Sequence, residues 1–217
     1  MTTPTPDQPP RPRGRPPKVR EDQLDVREAL LRHGLEVLTE KGFVAAGLDE
    51  LLSRARVPKG SFYHYFDSKE AYGLALIDHY ADYFARKLER HFSQPDRPPL
   101  QRLQAFVEDA QNGMAQYDFR RGCLIGNLGQ EMNALPDAFR ARLLATFEDW
   151  QARLAANLRA AQQAGELAAL ADVAALAAFF WIGWEGAVLR AKLERSAAPL
   201  SLFATQFFAA LPRPEPL

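Results

Sequence analysis

The stretch Val57–Tyr72, VPKGSFYHYFDSKEAY, constrains the fold of this 217-residue chain more than any other. Pro58 suits the first turn of a helix, and Asp67 or Ser68 caps the next one, with Glu70 three residues after Asp67 as in a capping box. A short helix ending near Phe66 is thus fixed between two others. Phe62 and Phe66 are four apart and share a face, so they pin that helix to its domain. Tyr63, His64 and Tyr65 are then surplus to a core. With Lys59 and Ser61 they offer a cation, hydroxyls and an imidazole to phosphates and base edges. An aromatic mini-core with solvated polar neighbours is the competing interpretation.

Helix signals follow one another on both sides of this stretch, with no two-residue alternation and no Asn-Gly or Asp-Gly hairpin turn. The chain reads as all-α. A first helix spans about Leu24–Lys41 and closes at Gly42; a second, Leu48–Ala55, leads through Arg56 to the short third helix. This is the helix-turn-helix arrangement, in which the last helix enters the major groove. A fourth helix runs to about Phe92, a fifth over Leu103–Tyr117 and a sixth over Leu124–Met132. Pro136 opens a long seventh that ends at Gly165, Asp172 caps an eighth reaching about Arg195, and Pro199 starts a ninth that ends before Pro212.

Two locally unfavourable residues strengthen the DNA interpretation. Gly60 inside a helix costs about 1 kcal/mol relative to alanine, tolerable where a backbone approaches something closely. Lys69 lies in the first turn of the fourth helix, where the macrodipole disfavours a cation; a phosphate bound by both that helix N-terminus and the lysine would offset this.

These residues also carry a resemblance. GFVAAGLDELLSRARVPKGSFYHYFDSKEAYGLAL resembles the DNA-binding domain of the TetR family of one-component transcription regulators. The resemblance implies nine helices: a three-helix N-terminal domain over 21–67 that binds half an operator, and a helical ligand-binding and dimerisation domain over 68–217. It implies a homodimer whose effector changes the spacing of the recognition helices. On matching positions Lys59, Gly60, Ser61 and His64 would face bases, with Tyr63, Tyr65 and Lys69 mainly at phosphates. The chain departs from the pattern at Ala46 and Gly47, where the family usually has a Thr or Ser that caps the second helix. It departs again at Arg56, where the family favours glycine; either the turn differs or the arginine is kept for DNA.

Charge is balanced over the whole chain, with 27 Lys plus Arg against 27 Asp plus Glu, so local charge has to point to partners. RPRGRPPKVR, from Arg11 to Arg20, carries five cations and no acid. Residues 1–20 are too polar and proline-rich to form a core, and are expected to be a disordered basic arm. RPRGRPP resembles an AT-hook, with Arg13 and Arg15 flanking Gly14 for insertion into an A·T-rich minor groove; a solubilising tail is the alternative. No uninterrupted apolar run of about 18 residues predicts a membrane span, and MTTPTPDQPP lacks the apolar segment of a secretory signal. A cytoplasmic location is expected. A single cysteine, Cys123, makes neither an internal disulfide nor a cysteine-rich zinc site, and no metal or cofactor is expected.

In the C-terminal two thirds, ALAAFFWIGWEGAVLRAKLE is apolar nearly all round before its charged end. Gly183, Gly186 and Ala187 permit close helix approach, and with LFATQFFAALP, including Phe203 and Phe207, the segment resembles the family's four-helix dimer interface; an intramolecular core helix is the alternative. Glu185 shares a face with Trp181 beside Trp184. A carboxylate there needs a partner or a raised pKa: it borders a ligand pocket or pairs with an arginine at the interface. Cys123, at a helix N-terminus beside Arg120 and Arg121, is either a thiolate of lowered pKa that senses electrophiles or an inert core residue.

RRGCLIGNLGQEM and FWIGWEGAVLRAKLE resemble an acrylate-responsive subgroup of the TetR family and, more distantly, an electrophile-sensing one. That implies a small α,β-unsaturated carboxylate or related electrophile as effector, with Arg120, Arg121 or Arg190 as its cation and Tyr117 and Asn127 as polar lining. The function expected is a repressor that releases double-stranded operator DNA on binding this molecule. An architectural, sequence-tolerant DNA-binding protein using the arm is the alternative. No Glu-x-x-His pair, Ser-His-Asp set or glycine-rich phosphate loop supports an enzyme.

Overall fold

A computed structural model describes residues 21–214, with side chains described from Val26. The described residues form α1 (Glu21–Lys41), α2 (Leu48–Ala55), α3 (Lys59–Phe62), α4 (Lys69–Phe92), α5 (Pro99–Ala115), α6 (Leu124–Gln130), α7 (Asp137–Gln163), α8 (Val173–Glu194) and α9 (Ala198–Ala210). A single 3-10 turn, Met132–Ala134, joins α6 to α7. No strand occurs among them.

The first three helices close around Leu30, Leu31, Leu38, Leu51, Leu52 and Phe62, all buried. Phe62 packs at a tilt on Phe66, 5.5 Å between ring centroids, and edge-on to Tyr72 of α4 at 5.4 Å. The Tyr72 hydroxyl donates to the Leu30 carbonyl, so α3 is fixed to α1 through an α4 residue. α3 is shorter than the expected run to Phe66. Beyond Phe62 the bonds tighten, His64 N donating to Ser61 O and Tyr65 N to Phe62 O, three residues back in each case. Ser68, not Asp67, caps α4, its hydroxyl accepting from Ala71 N at 3.0 Å. Gly47 precedes α2 with no side-chain cap, as the missing Thr or Ser implied.

The remaining helices pack around an aromatic core. Trp150 of α7 and Trp181 of α8 lie 5.0 Å apart, with Phe84 of α4 and Phe106 of α5 against them. By length and composition α8 could cross a membrane, but it packs between α7 and α9, burying Ala177, Phe180, Trp181, Trp184 and Val188. α4 runs through both regions, contacting α1 near its start and α5 and α7 farther along.

Candidate nucleic-acid interface and internal cavity

α2 and α3 present one polar surface. Lys59, Gly60, Tyr63 and His64 are exposed, with Ser61 and Tyr65 half-buried at its edge. Tyr63 is 52% exposed although its ring edge touches Phe62, so the core does not account for it. A Cβ at Gly60 would meet no protein atom within 4 Å, and internal packing gives no reason for glycine there. Lys59 Nζ lies 3.1 Å from Asp49 on the outer side of α2, a solvent-exposed pair of little energetic weight. Arg56 is exposed and left-handed at φ 55°, ψ 37°, so the turn keeps the geometry that favours glycine and the arginine accepts the strain. Arg13 and Arg15 of the basic arm lie outside the described residues.

Lys69 is turned inward. Its ammonium donates to the Phe43 carbonyl at 2.9 Å and sits 4.5 Å over the Phe43 ring. Burial lowers its pKa, and the charge of nearby Glu131 partly opposes that fall. The first-turn lysine is therefore satisfied inside the protein, and it reaches a phosphate only by giving up this carbonyl.

Beneath this unit a cavity of about 250 Å³ opens among α4, α5, the α5–α6 connection and α8. Tyr117, Arg121, Cys123, Trp184 and Glu185, expected from the sequence, line it together, joined by Tyr80, Phe84, Lys87 and Met114. Four expected residues lie elsewhere. Arg120 is exposed and lines a separate surface recess with Glu40 and Arg54. Arg190 pairs with Glu194 on the outer face of α8. Trp181 is buried in the aromatic core. Asn127 spends its amide on the Leu38 and Thr39 carbonyls.

The polar groups of the cavity are unevenly placed. Arg121 stacks 4.1 Å over the exposed Tyr117 ring and lies 3.8 Å from Glu36 of α1. Lys87 is largely buried and holds Asp109 at 3.0 Å, a carboxylate it shares with His91. Deeper in, Glu185 faces Cys123 and Tyr80. Burial raises the Glu185 carboxyl from 4.5 to about 7, a hydrogen bond with Cys123 opposing part of the rise. Burial also pushes the Cys123 thiol well up, and the charge of Glu185 adds to it. Of the two readings of Cys123, this favours the inert core residue over the thiolate: Arg121 turns to Tyr117 and Glu36, and the charge facing the sulfur is an acid. Nothing in the chain singles out Tyr80 and Lys87, because YADYFARKLERHF carries only ordinary helix patterning.

A second, larger recess of about 510 Å³ is a surface groove between α8 and α9, bordered by Gly183, Gly186, Ala187, Leu202 and Phe203. Phe179 and Ile182, one turn earlier on α8, are exposed. The groove holds none of the buried titratable groups, so the smaller cavity is the better candidate for a polar ligand. Phe207, expected at the same surface, instead packs inward edge-on to Phe180 at 5.1 Å.

Comparison with known proteins fits this geometry. Residues 30–72 match the family described as bacterial regulatory proteins, tetR family, and residues 99–207 match the tetracyclin repressor-like C-terminal domain. The chain is 53% identical over 207 residues to transcriptional regulator AcuR of Cereibacter sphaeroides, covering 95% of this chain and 94% of that protein. It is 35% identical over 177 residues to the HTH-type transcriptional repressor NemR of Escherichia coli, covering 81% and 88%. A crystal structure of the regulatory protein TetR from Rhodobacter sphaeroides superposes with a TM-score of 0.84 at 55% identity, over 86% of this chain and 98% of that one. These relatives are transcriptional regulators and not enzymes. The chain belongs to the TetR family of DNA-binding transcriptional regulators.

Proposed function

We propose that the protein is a homodimeric, cytoplasmic repressor that grips operator DNA through α2 and α3 and releases it when a small unsaturated carboxylate occupies the cavity under Glu185. The surface of α3 and the turn that follows it carries this reading: Lys59, Gly60, Tyr63 and His64 stand exposed on either side of Phe62, which pins the helix in place, and none of them fills the core. Lys59, Gly60, Ser61 and His64 read bases, Tyr63 and Tyr65 hold phosphates, and Arg56 is kept at its strained turn for the same backbone. Lys69 joins them if DNA draws it from the Phe43 carbonyl. The basic arm, through Arg13 and Arg15, adds minor-groove contacts. The unit over 21–67 supplies recognition, and 68–217 supplies the cavity and the dimer contact.

The likeness to the acrylate-responsive subgroup supports acrylate or a close analogue as effector, as do the two cations, Arg121 and Lys87, that line the cavity. Glu185, with a pKa near neutrality, donates a hydrogen bond to the ligand carboxylate when protonated. Binding is non-covalent in this account, because the Cys123 thiol is held protonated. The exposed apolar face of Phe179, Ile182, Gly186 and Leu202 packs against its copy in the dimer. Release is a population shift: the ligand binds the non-operator state more tightly, and affinity for DNA falls by that ratio.

Fluorescence anisotropy tests this, using the intergenic DNA beside the protein's own gene and a scrambled duplex, at two salt concentrations, with and without acrylate. Selective binding weakened by acrylate is expected. Selective binding indifferent to acrylate would remove the ligand class, and equal binding to both duplexes would remove the repressor in favour of an architectural protein.

A further inference from the structure

Helix α6 has one end at the cavity and the other on the DNA-binding unit. Cys123 lines the cavity and caps the first turn of α6, its sulfur accepting from Gly126 N at 3.5 Å. Eight residues on, Glu131 is the C-cap. Its carboxylate leaves α6 altogether, accepting from Phe43 N at 3.0 Å and from Val44 N at 2.9 Å in the turn between α1 and α2. At about 1.5 Å per residue the two caps stand roughly 12 Å apart on one rigid element.

The grip at the far end is built for this carboxylate. Gly42, at φ 86°, leaves α1 in the left-handed region, and a Cβ there would sit 1.7 Å from Glu131 Oε1. A side chain at 42 would expel the acid. The same turn is held from the other side by Lys69 of α4 on the Phe43 carbonyl. The Phe43 ring is inserted against Phe139 of α7 at 5.1 Å. Midway along α6, Asn127 binds the Leu38 and Thr39 carbonyls at the end of α1, and Gly122 N and Lys192 of α8 also donate to Thr39 O. The end of α1 and the turn that leads to α2 are therefore held by α6 and its neighbours.

The near end is strained. Asp118 and Phe119, in the connection that leads to α6, are consecutive non-glycine residues at φ 51° and 56°. Such pairs persist only where the surroundings over-determine them, and they gather at switch regions. On the opposite side α6 touches α8 so closely that a Cβ at Gly126 would lie 2.0 Å from Glu185 Oε2. A ligand that displaces Glu185 or Cys123 has no slack to absorb before α6 itself moves.

We propose that Glu131 is the coupling residue of this regulator: the grip by which movement of α6, started at the cavity, is passed to the α1–α2 turn and so to the recognition helix. The inference rests on the reading above that the cavity takes the effector. It assigns Glu131 a positioning role, since the carboxylate lies outside the cavity lining and is spent on the Phe43 and Val44 N–H groups. A merely structural clamp would hold the two units together without transmitting anything, and the two roles separate in a double-mutant cycle.

The experiment measures operator affinity by anisotropy for the full-length protein, Cys123→Phe, Glu131→Gln and the double variant. Cys123→Phe overfills the cavity end of α6 and so pushes it without any effector. Glu131→Gln keeps the shape but removes one of the two acceptor oxygens from the turn. Cys123→Phe is expected to weaken operator binding at least tenfold in the parent and less than threefold in the Glu131→Gln background. Equal losses in both backgrounds, or no loss in the parent, would overturn the proposal. Gly126→Ala displaces the same helix from Glu185 and is put through the same cycle, so misfolding of Cys123→Phe does not remove the test. A non-additive cycle with no response to acrylate in any variant supports the coupling and drops the ligand class alone.

Discussion

Glu185→Gln should make the protein more stable at pH 8 and leave it unchanged at pH 4.5. The carboxyl lies among Cys123, Tyr80 and Trp184, with Lys87 and Arg121 on the cavity wall and no cation paired with it among the described residues. Its pKa rises from 4.5 to about 7. Between those values the folded protein holds a proton that the unfolded chain has released, so stability falls as pH rises. The stabilisation is complete below 4.5 and lost once pH passes about 7. At about 1.36 kcal/mol per pH unit, this displacement corresponds to about 3 kcal/mol. Glutamine keeps the shape and never ionises, so the variant escapes the loss. For a chain of this length, 3 kcal/mol moves the melting temperature by roughly 6–12 °C. Thermal denaturation followed by circular dichroism, at fixed protein concentration and at pH 4.5 and 8, measures it. A gain at pH 8 that vanishes at pH 4.5 is expected; an equal change at both, or a loss at pH 8, would refute the argument.

Gly186→Arg places a charge on the exposed apolar face where a Cβ meets no protein atom within 4 Å. Sedimentation should show a helical monomer, and an unchanged dimer would move the interface elsewhere. Arg56→Gly relieves a left-handed arginine and should stabilise the protein by about 1 kcal/mol while weakening operator binding; melting and anisotropy read the two effects separately. His64→Ala should lower the operator-to-scrambled affinity ratio about ten- to a hundredfold, the worth of a good base contact. Phe43→Ala empties a buried site against Phe139 and should cost about 3–5 kcal/mol in denaturant unfolding.

The helical order was legible because proline, glycine and capping residues mark most ends. Pro58, Ser68, Pro136 and Asp172 all stand immediately before a helix, and Gly165 lies just past the end of α7. What sequence adjacency could not give is which group faces which across the fold. Arg120 and Arg121 adjoin Cys123 in the chain, yet the charge that meets the thiol comes from Glu185, 62 positions away. Lys69 reads as unfavourable in a first turn until Phe43 and Glu131 are brought to it by tertiary packing. α8 is apolar on nearly every side, so its periodicity carries no direction. Phe179 and Ile182 turned out to face solvent and Phe207 to face inward. Glu131 was invisible for a related reason: an acid at a helix C-terminus opposes the macrodipole, and only the two N–H groups of a turn 87 and 88 residues earlier account for it.

The proposed mechanism puts one cavity and one DNA surface on a single equilibrium. Linkage requires that the factor by which effector lowers operator affinity equal the factor by which operator lowers effector affinity. The decisive measurement is calorimetric titration of acrylate into the free protein and into the protein saturated with operator duplex. Weaker binding to the complex, by the same factor that acrylate imposes on DNA affinity in anisotropy, is the predicted result. Equal acrylate affinity with and without operator would mean that the cavity and the DNA surface are uncoupled.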